Sequence, residues 1–184
     1  MVDLDHSFCD GRKVLTKVSD VELDLDNLGR VFGVLPIARK LADDVRTSLA
    51  DVARRLAGRT PVRAALVTLY DKALYADAGG LYTDVLTLAG GQNLTPQTEL
   101  PAGEYYGQVS PETVAAKNPD VIVYAYLDEA ARRDAENYLR TTFARTAAVK
   151  AGRLVATPEA TFGGALRSVA GVTTLAKQLH PDAF

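Results

Sequence analysis

Apolar positions recur every three to four residues in the first part of the chain and then change to short unbroken runs. In VSDVELDLDNLGRVFGV, Val21, Leu25, Leu28 and Phe32 share one helical face, with Ser19 placed to cap and Gly33 to stop. Pro36 stands where a second helix begins, and Leu41, Val45, Leu49, Val52 and Leu56 predict a helix over 37–57, ended by Gly58. Arg54 and Arg55 fall at the negative end of its dipole.

After Pro61 the period is lost. VRAALVTLY has no polar alternation and predicts a strand near 62–69 covered on both faces. VIVYAY predicts another near 121–125, and GRLVATP a third near 153–157. Helical stretches lie between and after them. LYTDVLTLAGG is bounded by Gly79–Gly80 and Gly90–Gly91; SPETVAAKNPD has Ser110 as cap and Pro111 at its first position; residues 128–149 follow. GGALRSVAGVTTLAKQL closes the chain and is ended by His180 and Pro181. Alternating strands and helices imply an α/β fold, a mostly parallel sheet with helices on both faces, preceded by the long helix. The expected organisation is a lead-in over 1–36, a long helix over 37–58 and an α/β lobe over 61–184.

Composition narrows the function. The 21 Lys and Arg against 23 Asp and Glu give a net charge of −2, without a basic run, which argues against a nucleic-acid partner. The single cysteine, Cys9, allows no internal disulfide or cysteine metal cluster. His6 and His180 lie far apart in sequence without partners at ligand spacing, so no metal site or cofactor is expected. The residues before Cys9 are polar, unlike an export signal, and no run approaches the roughly 20 apolar residues of a membrane span.

Candidate chemistry lies at the strand ends, because ligands of open parallel sheets sit beyond the carboxyl edge. Tyr70 ends the first strand and Tyr124 and Tyr126 the second, while the loop after the third carries Phe162 and Arg167. Such a set suits a bulky aromatic or anionic ligand, or a ferric centre. The same residues could equally be edge aromatics half packed on neighbouring helices. Glu112, in the first turn of a short helix, is accounted for by the helix dipole alone.

Five stretches taken in order carry a family resemblance: DLDNLGRVFGVLPIARKLADDV, LYADAGGLYTDVLTLAGGQN, YYGQVSPETVAAKNPDVIVY, AVKAGRLVATP and LAKQLHPDAF. Together, over residues 20–184, they resemble the C-terminal lobe of the substrate-binding proteins that feed ABC importers for iron–siderophore complexes, haem and cobalamin. The resemblance implies two α/β lobes joined by one long helix, here 37–57, and an extracytoplasmic location. It implies a ferric siderophore, haem or corrinoid as ligand, met by Tyr70, Tyr124, Tyr126, Phe162 and Arg167. It also implies that Glu112, in the family's S-x-E helix, docks on an arginine of the membrane permease. The family's N-terminal lobe has no counterpart in this sequence. The stripe of Leu41, Val45, Leu49 and Val52 is therefore expected to be left partly bare, and a homodimer to cover it. Two alternatives stay open: a ligand-free structural or dimerisation module, and a flavodoxin-like enzyme domain, for which a phosphate loop and an acid–base set are missing.

Overall fold

The computed structural model describes residues 17–101 and 104–184. The lead-in residues 1–16, with His6 and Cys9, lie outside the described residues. Two helices come first, α1 (Val21–Val31) and α2 (Leu35–Leu56). They cross where Gly29 leaves no room for a side chain: a Cβ there would stand 2.5 Å from the Ala38 Cβ. Pro36 sits in the first turn of α2, where its missing N–H costs no helical hydrogen bond.

The sheet holds β1 (Val62–Tyr70), β2 (Ala73–Asp77), β3 (Gly91–Asn93), β4 (Tyr106–Gln108), β5 (Val121–Tyr126) and β6 (Leu154–Pro158). Its order is β4-β2-β1-β5-β6, with β3 beside β1. The three strands expected from the apolar runs are adjacent and parallel, β1 to β5 and β5 to β6. The other edge of β1 is shared, its first residues with parallel β3 and its last with antiparallel β2.

The short strands differ from expectation for physical reasons. The β1–β2 hairpin turns on Asp71 and Lys72, both at positive φ (46° and 63°). That is the backbone of a two-residue hairpin turn, which normally shows itself by Asn-Gly or Asp-Gly. Lysine gives no such signal. β3 and β4 are three residues each, too short for periodicity to register.

Helices cover both faces. On the first face α2, α3 (Gly80–Leu88) and α7 (Ala165–Leu179) bury Val45, Val52, Val85, Leu86, Val172 and Leu175 against Ala64, Leu66, Val121 and Val123. On the second, α4 (Pro111–Ala116), α5 (Glu129–Thr142) and α6 (Ala147–Lys150) bury Val114, Leu139 and Ala148 against Ala65, Val67, Ile122 and Tyr124. The stretch expected as one helix over 128–149 is thus two. Phe143 turns into the core between them, and Thr146 caps α6, its Oγ1 donating to the Phe143 carbonyl at 2.8 Å.

The α2 stripe is left bare only in part: Val45 and Val52 are buried and Leu49 packs on the same cluster, because α1 and α7 both lie along α2, while Leu41 is exposed. Further bare apolar surface lies around the α1–α2 junction, at Val31, Phe32, Val34 and Ile37.

Candidate functional site at the carboxyl edge

The ends of β1, β5 and β6 and the starts of α5 and α7 meet at one edge of the sheet. Three of the five expected side chains reach solvent there. Tyr70 is 72% exposed, Tyr126 is half-buried, and Arg167 stands exposed in the first turn of α7. Tyr124 and Phe162 do not. Tyr124 is 1% exposed and lies in the second-face cluster with Leu139 and Phe143. It sits two residues short of the strand end on a central strand, so α5 still covers it. Phe162 is 4% exposed and belongs to the first-face cluster, its ring stacked on Tyr82 with centroids 4.2 Å apart. Neither presents surface to a ligand.

Nor do the remaining residues form one wall. Side chains alternate along a strand. Tyr126 shares the second face with Tyr124 and Ile122, whereas Tyr70 shares the first with Leu66 and Ala64. Tyr124 and Tyr126 do point the same way, as their spacing requires, but only the outer one emerges.

The first face carries a second set that the sequence did not single out. Asp77, at the end of β2, is 8% exposed, and its Oδ2 accepts from Thr68 Oγ1 at 3.1 Å. Among the described residues its Oδ1 has no partner. Asn93 Nδ2 donates to the Asp77 carbonyl at 2.6 Å and to Thr83 Oγ1 at 3.3 Å, tying β2 and β3 to the first turn of α3. Burial pushes the Asp77 carboxyl up to about 7, with the Thr68 hydrogen bond opposing the shift and the Glu159 charge adding to it. The Tyr82 phenol is likewise raised, by burial first and then by Asp77 and Glu159.

The β1–β5–β6 register sets Thr68, Ala125 and Thr157 in one row. Thr157 is 5% exposed and its Oγ1 has no partner among the described residues. Tyr75, opposite Thr68, and Tyr106, opposite Asp77, bring their rings to 6.5 Å on the same face. Four phenols, of Tyr70, Tyr75, Tyr82 and Tyr106, therefore belong to the first face. Tyr75 and Tyr106 stand on the unannounced strands, and the one hint at Asp77 was its place just before a glycine pair.

This edge also exposes Leu127, directly after β5, and Leu166, at the start of α7. Apolar rim, phenols, one cation and two carboxylates can hold a bulky ligand that is part aromatic and part charged. Away from it, Glu112 is exposed in the first turn of α4, with no ion pair among the described residues. Two hollows of about 240 and 260 Å³ lie elsewhere, between α1 and α2 and beside His180. Ion pairs from Arg46 to Glu22 and Asp43 cross the first, and the second borders the His180–Gly90 hydrogen bond. Among the described residues, Thr157 Oγ1 is buried at the carboxyl edge without a partner.

Comparison with known proteins gives this geometry a setting. A family model described as periplasmic binding protein matches residues 12–161. No curated protein matches the sequence. A periplasmic binding protein from Veillonella parvula superposes with a TM-score of 0.79 at 23% identity, over 90% of this chain and 57% of that one. A periplasmic haem-binding protein from Pseudomonas aeruginosa gives 0.72 at 26%, over 91% and 62%. The periplasmic vitamin B12 binding protein of Vibrio cholerae gives 0.75 at 24%, over 92% and 64%. The chain thus spans about three-fifths of the length of these solved structures.

Proposed function

The chain belongs to the periplasmic binding protein family, and from that premise we propose that it forms the ligand-binding C-terminal lobe of an ABC importer's extracytoplasmic substrate-binding protein. The family and its solved relatives are substrate-binding proteins, not enzymes. The supporting observation is the carboxyl edge, where Tyr70, Leu127 and Leu166 are exposed near Thr157, whose buried Oγ1 has no partner among the described residues. A monomeric surface rarely gathers large apolar side chains around unsatisfied polar atoms unless something covers them. The ligand is a metal chelate, an iron–siderophore complex, haem or a corrinoid, and two of the solved relatives are named for haem and vitamin B12. Tyr70, Tyr126 and Arg167 meet it, the rings stacking on planar groups and the guanidinium pairing with a carboxylate.

In this reading residues 35–56 are the connector between two lobes, and the apolar α1–α2 junction packs against the rest of the two-lobed fold. Glu112 docks on an arginine of the permease; reversing its charge should reduce delivery to the permease while leaving ligand affinity intact.

A panel of ferric hydroxamate, ferric catecholate, haem and cyanocobalamin, followed by tyrosine fluorescence, tests the ligand site. At least one should bind, and Tyr70→Ser should weaken it by about tenfold, the scale of one lost aromatic contact. Binding of none of the four, or unchanged binding by the serine variant, would sink this reading.

A further inference from the structure

On the first face the helices pack against Ala64, Leu66, Val121 and Val123, and among the described residues no side chain of β2 or β4 joins that cluster. On the second face Leu74 of β2 and Val109, directly after β4, are packed in the core. This end of the sheet is therefore covered on one side only. An antiparallel sheet with one wet face alternates apolar inward and polar outward. β2 and β4 depart from that rule, because their open face carries Tyr75 and Tyr106.

The register sets these rings in a line. Tyr70 lies opposite Ala73, Tyr75 opposite Thr68 and Gln108, and Tyr106 opposite Asp77. Tyr70, Tyr75 and Tyr106 thus stand on the neighbouring strands β1, β2 and β4, along one diagonal of one face. Each step crosses one strand spacing, about 5 Å, and two residues, about 7 Å, which long aromatic side chains can bridge. Tyr75 and Tyr106 do meet, with ring centroids 6.5 Å apart and planes tilted by 44°. Cross-strand packing accounts for the half-buried Tyr75, but Tyr106 is 57% exposed and Tyr70 still more so. The rest of these rows on that face is Ala73, Thr68, Gln108 and the buried Asp77, without a cation to meet an anionic arm. A tilted pair of rings in such surroundings suits a further ring, held edge-on or offset at roughly 4.5–7 Å.

We propose that Tyr75 and Tyr106 form a subsite for an uncharged aromatic ring carried by the ligand, so that the lobe prefers metal chelates bearing aryl groups. The subsite is continuous with the ligand edge through Tyr70, which heads the same diagonal. This rests on the chelate-binding reading above and adds to it the chemistry of one ligand arm.

The test compares two kinetically inert chromium(III) complexes of equal charge and equal hydroxamate donor set, the tris-benzohydroxamate and the tris-acetohydroxamate, by calorimetric titration of the full chain. The wild type should bind the phenyl-bearing complex about fivefold more tightly, the scale of one aromatic pair. Tyr106→Thr, at an exposed strand position that suits a β-branched residue, removes the ring without endangering the fold. It should bring that ratio close to one and leave the affinity for the methyl-bearing complex unchanged. Tyr75→Thr should do the same. Equal wild-type affinity for the two complexes overturns the aryl subsite and leaves the chelate-binding lobe standing. A preference left intact by both substitutions assigns the ring to other residues and overturns the proposal as well. Binding of neither complex overturns the subsite, and the chelate-binding reading falls with it only if the natural chelates of the panel above also fail to bind.

Discussion

At the amino edge of the sheet, polar side chains are engaged with backbone. Arg63 donates to the carbonyls of Lys117 and Asn118 at 2.7 and 3.3 Å, and Arg153 to that of Leu179 at 2.9 Å. His180 Nε2 bonds the Gly90 carbonyl at 3.0 Å, and Asn118 Oδ1 accepts from the Ala147 N–H at 2.8 Å. The carboxyl edge is built the other way. Among the described residues its Thr157 hydroxyl and the Asp77 oxygen not bonded to Thr68 have no partners, and its rim exposes Tyr70 and Leu127. The contrast separates two tasks within one sheet. One edge is closed by hydrogen bonds that fix helices to strands. The other leaves a buried hydroxyl unmatched among the described residues and apolar side chains exposed.

Five substitutions sharpen or break that contrast. The largest effect is expected at the closed edge. Gly90 has φ 82°, and a Cβ there would stand 2.5 Å from His180 Nε2. Gly90→Ala should therefore cost about 3 kcal/mol in chemical denaturation, from a disfavoured backbone and a displaced histidine. A loss below about 1 kcal/mol would show that this edge tolerates opening.

The second lies at the open edge and has the opposite sign. The Asp77 carboxyl is raised from 3.8 to about 7 in the folded lobe. A carboxyl with a raised folded value favours folding while protonated, below about pH 4, and that contribution is lost as pH rises through 7. Asp77→Asn should accordingly stabilise the lobe by on the order of 2 kcal/mol at pH 8, with the gain fading towards pH 4. Denaturation curves at the two pH values check it. Equal stability of wild type and variant at pH 8 would mean that Asp77 already has a cation beside it.

A smaller loss belongs to Asn118, which combines a positive φ of 45° with the bond to the start of α6. Asn118→Ala should cost about 1–2 kcal/mol and should raise amide exchange in α6 specifically. Exchange that rises evenly over the lobe would deny the local role. The smallest stability effect is expected from Leu127→Ser and Leu166→Ser, within about 0.5 kcal/mol of wild type, because exposed apolar side chains contribute little to the fold. The same variants should weaken chelate binding. Strong destabilisation would show the rim to be part of the core rather than a binding surface.

The elements legible in the sequence are those whose pattern repeats within themselves. The long helix over 35–56 follows from Leu41, Val45, Leu49 and Val52, and the parallel core from three apolar runs that need cover on both faces. Order and spacing of the motifs were enough to indicate the family. What escaped was local structure set by distant partners. The β1–β2 hairpin turns on Asp71–Lys72, a pair with no glycine signal, and β3 and β4 exist because β1 and β2 offer them hydrogen bonds.

The same division holds at the site. Alternation within β5 correctly sends Tyr124 and Tyr126 to one face, since period two is a property of the strand alone. How far a neighbouring helix reaches along that strand is not. α5 covers Tyr124, α3 supplies the ring that stacks on Phe162, and a hairpin brings Asp77 beside Thr68. Sequence determined that Tyr70, Tyr126 and Arg167 lie near the carboxyl edge, through local periodicity and strand ends. Only the tertiary structure decided which of them are buried, which share a face, and which are left without a partner, because burial and hydrogen bonding depend on residues far away in the chain.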